Sequence, residues 1–339
     1  MGRHELHRAR ADRAGGGDRH ARGRPQAPDD RRGPARGRGR HARDAPPARG
    51  LRRGARPPSP RTLTVPVVTA VACPHTPQLL IRPDTEDRAL VLRVHAAYAE
   101  VRRRLTAARP DAIVVIGGDH IEGFFLDAVP ALAVYVGAAA SGRFGPYAYT
   151  LPVHEPLARA ILEAGIARGF DLAWSQHLRL DYAFYVPLHF TMPAPPVPIV
   201  PIYVNVYLPP QPTPARCYAF GRALREILDA RPERVALMAS GGMSHYPGTE
   251  RYADPDVAWD RRLLAALEAG RGAETADLTG AELDAAGNVE LRTWIVLLGA
   301  VGPVRAEVLC YEPSWHHGNA VVAWPVDAAS VHPAGPPAR

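Results

Sequence analysis

Three histidines stand directly after short apolar runs, in stretches rich in glycine or proline. His75 lies in CPHTP, His120 in GGDHI and His245 in GGMSHYPG. Imidazole binds transition metals and exchanges protons near neutral pH. A single histidine of this kind is usually structural, but three in matched positions predict a metal centre, a proton-transfer site, or both.

Glu290 is the carboxylate that could complete such a site. It starts the apolar stretch 290–301, whose large apolar residues recur at helical spacing. The positive end of a helix favours an ionised acid. Two histidines and one carboxylate form the facial set of non-haem Fe(II) oxygenases, whereas zinc sites prefer cysteine or a third histidine. On spacing alone, a simple helix cap is the better explanation of Glu290.

The sequence contains no motif for serine hydrolysis or for phosphate binding. A serine-hydrolase nucleophile elbow would require glycine two residues after Ser244, and that position is Tyr246. The glycine pairs at 117–118 and 241–242 match neither a P-loop nor a dinucleotide-binding fingerprint. The sequence therefore supports neither a serine hydrolase nor a phosphate-binding protein.

The three histidines follow strands of a predicted α/β fold. Residues 64–72 and 111–116 are typical of buried strands, and apolar residues recur at helical spacing between them. Strand, helix and strand in this order favour a parallel crossover. In an open α/β sheet the ligand crevice forms at the carboxyl ends of the strands, where the histidines would stand. Further strands are predicted at 197–206, 234–239, 306–310 and 319–324, and further helices at 155–169, 215–230, 257–268 and 290–301.

Residues 1–62 differ from the rest of the 339-residue chain. They hold 18 of the 41 basic residues and 6 of the 34 acidic ones, an excess of 12 positive charges, and the remainder has a net charge of −5. With few large apolar side chains, the segment cannot offset a backbone entropy cost of roughly 1–2 kcal/mol per residue. We therefore expect a disordered tail. It is either extra sequence translated from a start codon upstream of the true one, a basic arm, or a targeting peptide. Because the foldable part is mildly acidic, the basic composition does not indicate a nucleic-acid-binding domain.

The other residues predict one globular domain at 65–325, large enough to enclose a site, and a flexible C-terminal tail at 326–339. Cys73, Cys217 and Cys310 form no CxxC pattern, so we expect reduced, structural thiols. No apolar run reaches the roughly 20 residues of a membrane span, and no secretory signal precedes residue 62. We expect a cytoplasmic protein without membrane contact.

Taken together, these motifs resemble the class III extradiol ring-cleavage dioxygenases, the LigB-like family that includes the β subunit of protocatechuate 4,5-dioxygenase. The motifs occur in the family's order: PHTP at 74–77, GDH at 118–120, GGMSH at 241–245, and VE at 289–290 with Trp294. The stretch PIYVNV at 201–206 also resembles the β-subunit pattern. The resemblance spans about 67–325, and it implies a three-layer α/β/α fold with a mixed, mostly parallel central sheet.

The resemblance implies that His75, His120 and Glu290 bind Fe(II) and that His245 is the active-site acid/base. Such a ligand set leaves adjacent positions for both oxygens of a catechol and for O2. The implied reaction opens the ring beside the diol and places both atoms of O2 in a muconic-semialdehyde-type product. Protons must move during this reaction, and histidine meets that demand near neutral pH.

One position departs from the family pattern. Family members usually have Asp-His-Gly where this chain has Asp181-Tyr182-Ala183. A phenol with a pKa of about 10 donates hydrogen bonds but is a poor base at neutral pH. We expect either that Tyr182 acts as a donor while His245 transfers protons, or that the substrate differs, for example a 2-aminophenol. His189, farther along the same segment, is a candidate for contact with the substrate.

The sequence also allows expectations about two further histidines, an alternative metal and possible partner subunits. His316 and His317 are adjacent, and because neighbours on a strand face opposite sides, we expect at most one of them in the cleft. An enzyme that holds Zn(II) and performs a non-oxidative reaction is the alternative on the same scaffold. Some family members pair with a small helical α subunit, which no segment here resembles. The chain therefore closes its own site, forms a homo-oligomer, or has a separate partner of that kind.

Overall fold

The computed structural model describes residues 66–177 and 179–326. The predicted tail at 1–62 lies outside the described residues, and so do residues 327–339 of the predicted C-terminal tail. The strands are β1 (Val67–Cys73), β2 (Ala112–Gly117), β3 (Leu132–Tyr135), β4 (Ala139–Phe144), β5 (Tyr147–Pro152), β6 (Ala173–Ser175), β7 (Ile199–Val204), β8 (Val235–Ser240), β9 (Glu307–Pro313) and β10 (Gly318–Trp324). The helices are α1 (Gln78–Ile81), α2 (Arg88–Ala108), α3 (Glu155–Ala167), α4 (Tyr182–Thr191), α5 (Pro214–Asp229), α6 (Val257–Glu268), α7 (Gly280–Ala285) and α8 (Leu291–Val301).

The main sheet has eight strands in the order β6-β3-β7-β2-β8-β1-β10-β9. Its centre is parallel, since β7, β2, β8 and β1 pair in parallel one after another. β3 joins β7 antiparallel, and β10 and β9 extend the other edge antiparallel. Every residue of β2, β7 and β8 is buried, as expected for parallel strands covered on both faces. The predicted mixed, mostly parallel sheet is confirmed.

Helices cover the sheet in two layers. α2 and α4 contact each other and lie on β1, β2 and β8, and α5 packs against α3 and α8 in the second layer. α5 and α8 approach closely because Gly221 has no side chain: a Cβ there would lie 2.0 Å from the Val296 carbonyl oxygen. The three-layer α/β/α prediction is therefore confirmed.

α8 is the helix that brings Glu290 into the interior. All of its residues are buried, including the large side chains of Trp294 and Leu298. The helix ends at Gly302, whose φ of 78° is a conformation that glycine adopts without strain. Its bounds agree with the predicted helix at 290–301. The mostly apolar segment packs between the sheet and α5, which stabilises it as a buried helix.

Two elements near the site had no clear sequence signal. The hairpin of β4 and β5 turns at Gly145, which has a φ of 53°, and β4 has only one large apolar residue, Phe144. α4 is buried on most sides and contains Pro187, so neither an amphipathic period nor uninterrupted helix formers mark it. The predicted edge strands at 306–310 and 319–324 are confirmed as the antiparallel pair β9 and β10.

None of the helices in the described part of the chain is long and apolar enough to cross a membrane.

Candidate metal centre

A cavity of about 360 Å³ opens at the carboxyl ends of the central parallel strands. His75 follows β1, His120 follows β2 and His245 follows β8, and these three strands are neighbours in the sheet. The strand-end prediction therefore holds for all three histidines. The cavity wall consists of His75, Thr76, Pro77, Gln78, His120, Ile121, Tyr182, Tyr207, His245, Pro247, Tyr252, Glu290, His316 and His317.

His75 is held by the last residue of β8. Its Nδ1 lies 3.0 Å from Ser240 Oγ, and the Ser240 hydroxyl donates to the carbonyl of Ala183. Since that hydroxyl proton is already used, Ser240 accepts from the Nδ1–H of His75, which fixes the tautomer. The Nε2 lone pair of His75 therefore faces inward, 3.2 Å from Glu290 Oε1.

His120 is held by Asp181 at two points. Asp181 Oδ2 accepts from the backbone N–H of His120 at 2.6 Å and lies 2.7 Å from its Nδ1. The other oxygen of this fully buried carboxylate caps α4 through the N–H of Ala183. Burial lowers the pKa of His120, but the hydrogen bond to Asp181 and its charge outweigh this effect and raise the pKa. The Nε2 of His120 is turned inward, 3.8 Å from Glu290 Oε1.

Glu290 is buried at the start of α8 and does not act as a helix cap, because its side chain makes no capping hydrogen bond. Instead, Oε2 accepts from the backbone N–H of Gly242, while Oε1 faces the histidines. Thr293 Oγ1 donates to the carbonyl of Ser240, which ties the first turn of α8 to the end of β8. Burial raises the pKa of Glu290, but His75 and His245, through their charges when protonated and their hydrogen bonds, together lower it by more, so the net shift is downward.

His75, His120 and Glu290 fit a divalent metal ion. Each offers a ligand atom, and these atoms lie within 4.8 Å of one another. Two imidazole lone pairs and a carboxylate that face one another repel unless a cation or a proton lies between them. Both histidines also engage their Nδ1 with a second partner, as metal-binding histidines generally do. The set matches the two-histidine, one-carboxylate arrangement of non-haem Fe(II) sites.

His245 lies beside this set. Its Nδ1 donates to the carbonyl of Met243 at 2.8 Å, and its Nε2 lies 3.4 Å from Glu290 Oε1. Burial lowers the pKa of His245, but the charge of Glu290 and the hydrogen bonds to Glu290 and Met243 together raise it by more, so the net shift is upward. The ring is thus fixed at one nitrogen, and the other can exchange a proton in the cavity.

The loop that carries His245 rests on the buried carboxylate of Asp260. This carboxylate accepts from the backbone N–H of Ser244 and from the side chains of Asn288 and Tyr311. Burial raises the pKa of Asp260 to about 6. Asp260 therefore supports the cavity floor from behind without lining the cavity.

Tyr182 lines the cavity, whereas His189 does not. The ring of Tyr182 stacks on His120, with the ring centroids 4.2 Å apart. Burial raises the pKa of Tyr182 well above its usual value, so the side chain is a neutral phenol at physiological pH. His189 lies in the last turn of α4, where its Nδ1 is 3.1 Å from the Tyr149 hydroxyl. His189 is therefore not among the described residues that line the cavity.

Two further side chains reach the site: Tyr207, which the sequence reasoning did not name, and His317, which it left open. Tyr207, just after β7, donates its hydroxyl to Glu290 Oε1, and the hydroxyl lies 2.8 Å from His120 Nε2. The strand-end rule applied to β7 would have found it. His317 packs against His245, with ring centroids 4.3 Å apart. The expectation that at most one of His316 and His317 reaches the cleft was wrong, because they lie in the turn before β10, where strand alternation does not apply.

Comparison with known proteins gives concordant results. Residues 69–322 match the family model described as the catalytic LigB subunit of aromatic ring-opening dioxygenase. A Klebsiella pneumoniae (strain 342) protein named 2,3-dihydroxyphenylpropionate/2,3-dihydroxicinnamic acid 1,2-dioxygenase is 31% identical, and the match covers 70% of this chain and 92% of that protein. A protein of the same name from Escherichia coli O139:H28 (strain E24377A / ETEC) is 29% identical, with coverage of 65% and 86%.

A solved structure extends the similarity to the fold. The crystal structure of an uncharacterized protein from Escherichia coli K12 superposes with a TM-score of 0.52 and 16% identity, covering 76% of this chain and 99% of that one. At this level of identity the similarity concerns the fold alone.

Proposed function

Since the chain belongs to the family of catalytic LigB subunits of aromatic ring-opening dioxygenases, and is thus a ring-cleaving dioxygenase, we propose that it opens catechol-type rings on Fe(II) held by His75, His120 and Glu290. The observation that carries the proposal is the convergence of these three ligand atoms on the floor of a cavity that is large enough for one aromatic ring. The curated relatives are named for cleavage of a dihydroxyphenyl compound with an acid side chain.

When bound, Fe(II) supplies adjacent coordination positions that bring a diol and O2 together. His75 and His120 would offer their Nε2 atoms to the ion, because their Nδ1 atoms are engaged by Ser240 and Asp181. Glu290 would contribute the one negative charge of the ligand set through Oε1, while its Oε2 accepts from the N–H of Gly242. The protein thus fixes ligand number and direction before substrate enters.

His245 acts as the acid/base of the reaction. Its Nε2 accepts a proton from a substrate hydroxyl as the diol binds, and returns a proton when the ring opens. Because Nδ1 is committed to the Met243 carbonyl, proton exchange takes place at the nitrogen that faces Glu290. The neighbouring Glu290 charge favours the protonated ring that the first step creates.

Tyr182 acts as a hydrogen-bond donor rather than a base. Its pKa is raised by burial, so deprotonation at neutral pH is unfavourable. Its ring lies against His120, which positions the phenol beside the metal ligands without occupying one of their nitrogens. A phenol in this position donates to an oxygen or nitrogen of the substrate, which suits a catechol and a 2-aminophenol alike.

The test is O2 uptake by the full chain loaded with Fe(II) under anaerobic conditions, with a panel of catechols and 2-aminophenols. We expect one O2 consumed for each coloured ring-opened product formed. His245→Gln should lose turnover and keep its iron, and the matched surface variant His189→Gln should behave like wild type. Stoichiometric iron without uptake on any compound, or conversion by the Zn(II)-loaded protein without O2, would instead establish the non-oxidative alternative.

Light scattering of the purified chain tests the predicted homo-oligomer. A change in activity when cell extract is added tests for a separate small subunit over the cavity. A monomer with full activity would show that the chain closes its own site.

A further inference from the structure

We propose that this enzyme selects catechols whose ring substituent is uncharged and discriminates against carboxylated ones, an inference that rests on the proposed ring cleavage. The chain has no lysine, and no arginine is among the described residues that line the cavity. A carboxylate removed from water needs a cation or several donors to replace its hydration. The described wall offers no cation that is free to pair with it, as Arg292, His316 and His317 show one by one.

Arg292 is the arginine next to the metal ligands in sequence, yet it serves the backbone. Its guanidinium donates to the carbonyls of Pro212 and Val289. Because these bonds direct the charge away from the cavity, Arg292 cannot pair with a substrate carboxylate.

His316 is on the wall, but it is already paired with a carboxylate. Its Nε2 lies 3.0 Å from Glu86 Oε1, and the two side chains are only 4% and 5% exposed. The indole N–H of Trp315 donates to the same oxygen. A substrate carboxylate at this position would meet the anion of Glu86 as well as His316, and would gain no net attraction.

His317 presents an acceptor, which is the wrong polarity for a carboxylate. Thr76 Oγ1 donates to Asn319 Oδ1 at 2.6 Å, and the Asn319 amide nitrogen is engaged by the carbonyl of Glu312. The Thr76 hydroxyl has therefore used its proton, and it accepts from the Nδ1 of His317, 3.1 Å away. This leaves the Nε2 of His317 without a proton.

The Nε2 of His317 determines which substituent this part of the wall favours. A neutral imidazole whose free nitrogen is a lone pair repels a carboxylate and accepts from a hydroxyl or an amide N–H. The substituent that suits this wall is therefore uncharged and carries a hydrogen-bond donor, such as an alcohol or a primary amide.

The experiment compares three substrates of the same shape: 3-(2,3-dihydroxyphenyl)propionate, its primary amide and its methyl ester. With the Fe(II)-loaded full chain, kcat/KM should fall from amide to ester to carboxylate, with the carboxylate at least about tenfold below the amide, the usual cost of an unpaired polar group in a site. Anaerobic dissociation constants, measured by calorimetry, should follow the same order.

A matched pair of variants tests the effect of a positive charge on the wall. Gln78 stands on the wall at the start of α1, so Gln78→Arg should move preference toward the carboxylate by about tenfold or more, while the neutral Gln78→Met should not. Turnover of the carboxylate by wild type at or above that of the amide would overturn the inference and leave the proposed function intact. No O2 uptake on any of the three despite stoichiometric iron would reject the proposed function instead.

Discussion

The metal side and the outer wall of the cavity are held in different ways. On the metal side, each proposed ligand is fixed by a second partner: Ser240 for His75, Asp181 for His120 and the Gly242 N–H for Glu290. On the outer wall, Tyr182 and Tyr252 are positioned by ring contacts with histidines. The difference separates the groups that fix the chemistry, which tolerate little movement, from those that select the substrate, which can repack at small cost.

Breaking the metal side should have the largest effect. His75→Ala removes one of three ligands and leaves Glu290 facing a gap, so we expect metal binding and O2 uptake to fall by more than about 100-fold, beyond the cost of losing a partner behind a ligand. Metal analysis after anaerobic loading measures it. His189→Ala, a surface histidine on α4, is the matched control and should bind iron like wild type.

The partner behind His120 should matter less than the ligand itself. Asp181→Asn keeps the α4 cap but puts an amide N–H toward His120, so metal affinity should fall about 10–100-fold. Because Asp181 raises the pKa of His120, the variant lowers it, and proton competition with metal should begin at a lower pH.

Competitive titration with a metal indicator from pH 5 to 8 measures both effects. Asp87→Asn, which changes the exposed cap of α2, is the control. The same affinity and the same acid limit in Asp181→Asn and wild type would mean that Asp181 only caps a helix.

Changing the outer wall should alter turnover and leave the metal in place. Tyr182→Phe removes one hydroxyl, so kcat should fall by about tenfold, the value of one hydrogen bond to a reacting group, with iron binding unchanged. The pH profile should not move, because the phenol stays neutral across the working range. Tyr252→Phe serves as the comparison on the same wall. Kinetics of Tyr182→Phe equal to wild type would remove any catalytic role for this phenol.

Asp260, behind His245, should affect stability more than chemistry. Its pKa is about 6 in the folded protein against 3.8 ordinarily, so between these pH values the folded state holds a proton that the unfolded chain has released. The unfolding free energy should therefore fall as pH rises from about 4 to about 6, by up to about 1.4 kcal/mol per pH unit. Above pH 6 this contribution is constant.

Asp260→Asn should flatten that slope, because asparagine does not titrate and Tyr311 can accept instead of donate. Urea unfolding of the metal-free protein at several pH values measures the difference between variant and wild type. Parallel slopes would contradict the assignment of a raised pKa to Asp260.

Much of the site follows from local sequence patterns, and what does not follow depends on close tertiary packing. Buried strands β1, β2 and β8 are continuous apolar runs, so their ends, and the histidines after them, are predictable. Glu290 is different, because only the position of α8 against β8 distinguishes a ligand from a cap. Its assignment from sequence needed the family resemblance.

His317 could not be found in this way. Its ring fits only because Gly242 has no side chain: a Cβ there would lie 1.9 Å from the Cε1 of His317. The two residues lie 75 positions apart (317 − 242), and neither sequence neighbourhood indicates the contact. α4 was missed for a related reason, since burial on most sides removes the amphipathic period on which the prediction depends.

The contact between His75 and Glu290 joins residues 215 positions apart. During synthesis on the ribosome, the chain therefore produces all three histidines at the strand ends before it produces the carboxylate. β1 pairs with β8 and β10, and both of these strands are translated much later than β1. A metal ion bound by the proposed ligand set can be captured in its final coordination only after α8 has emerged, so metal binding would mark the completion of folding rather than its beginning.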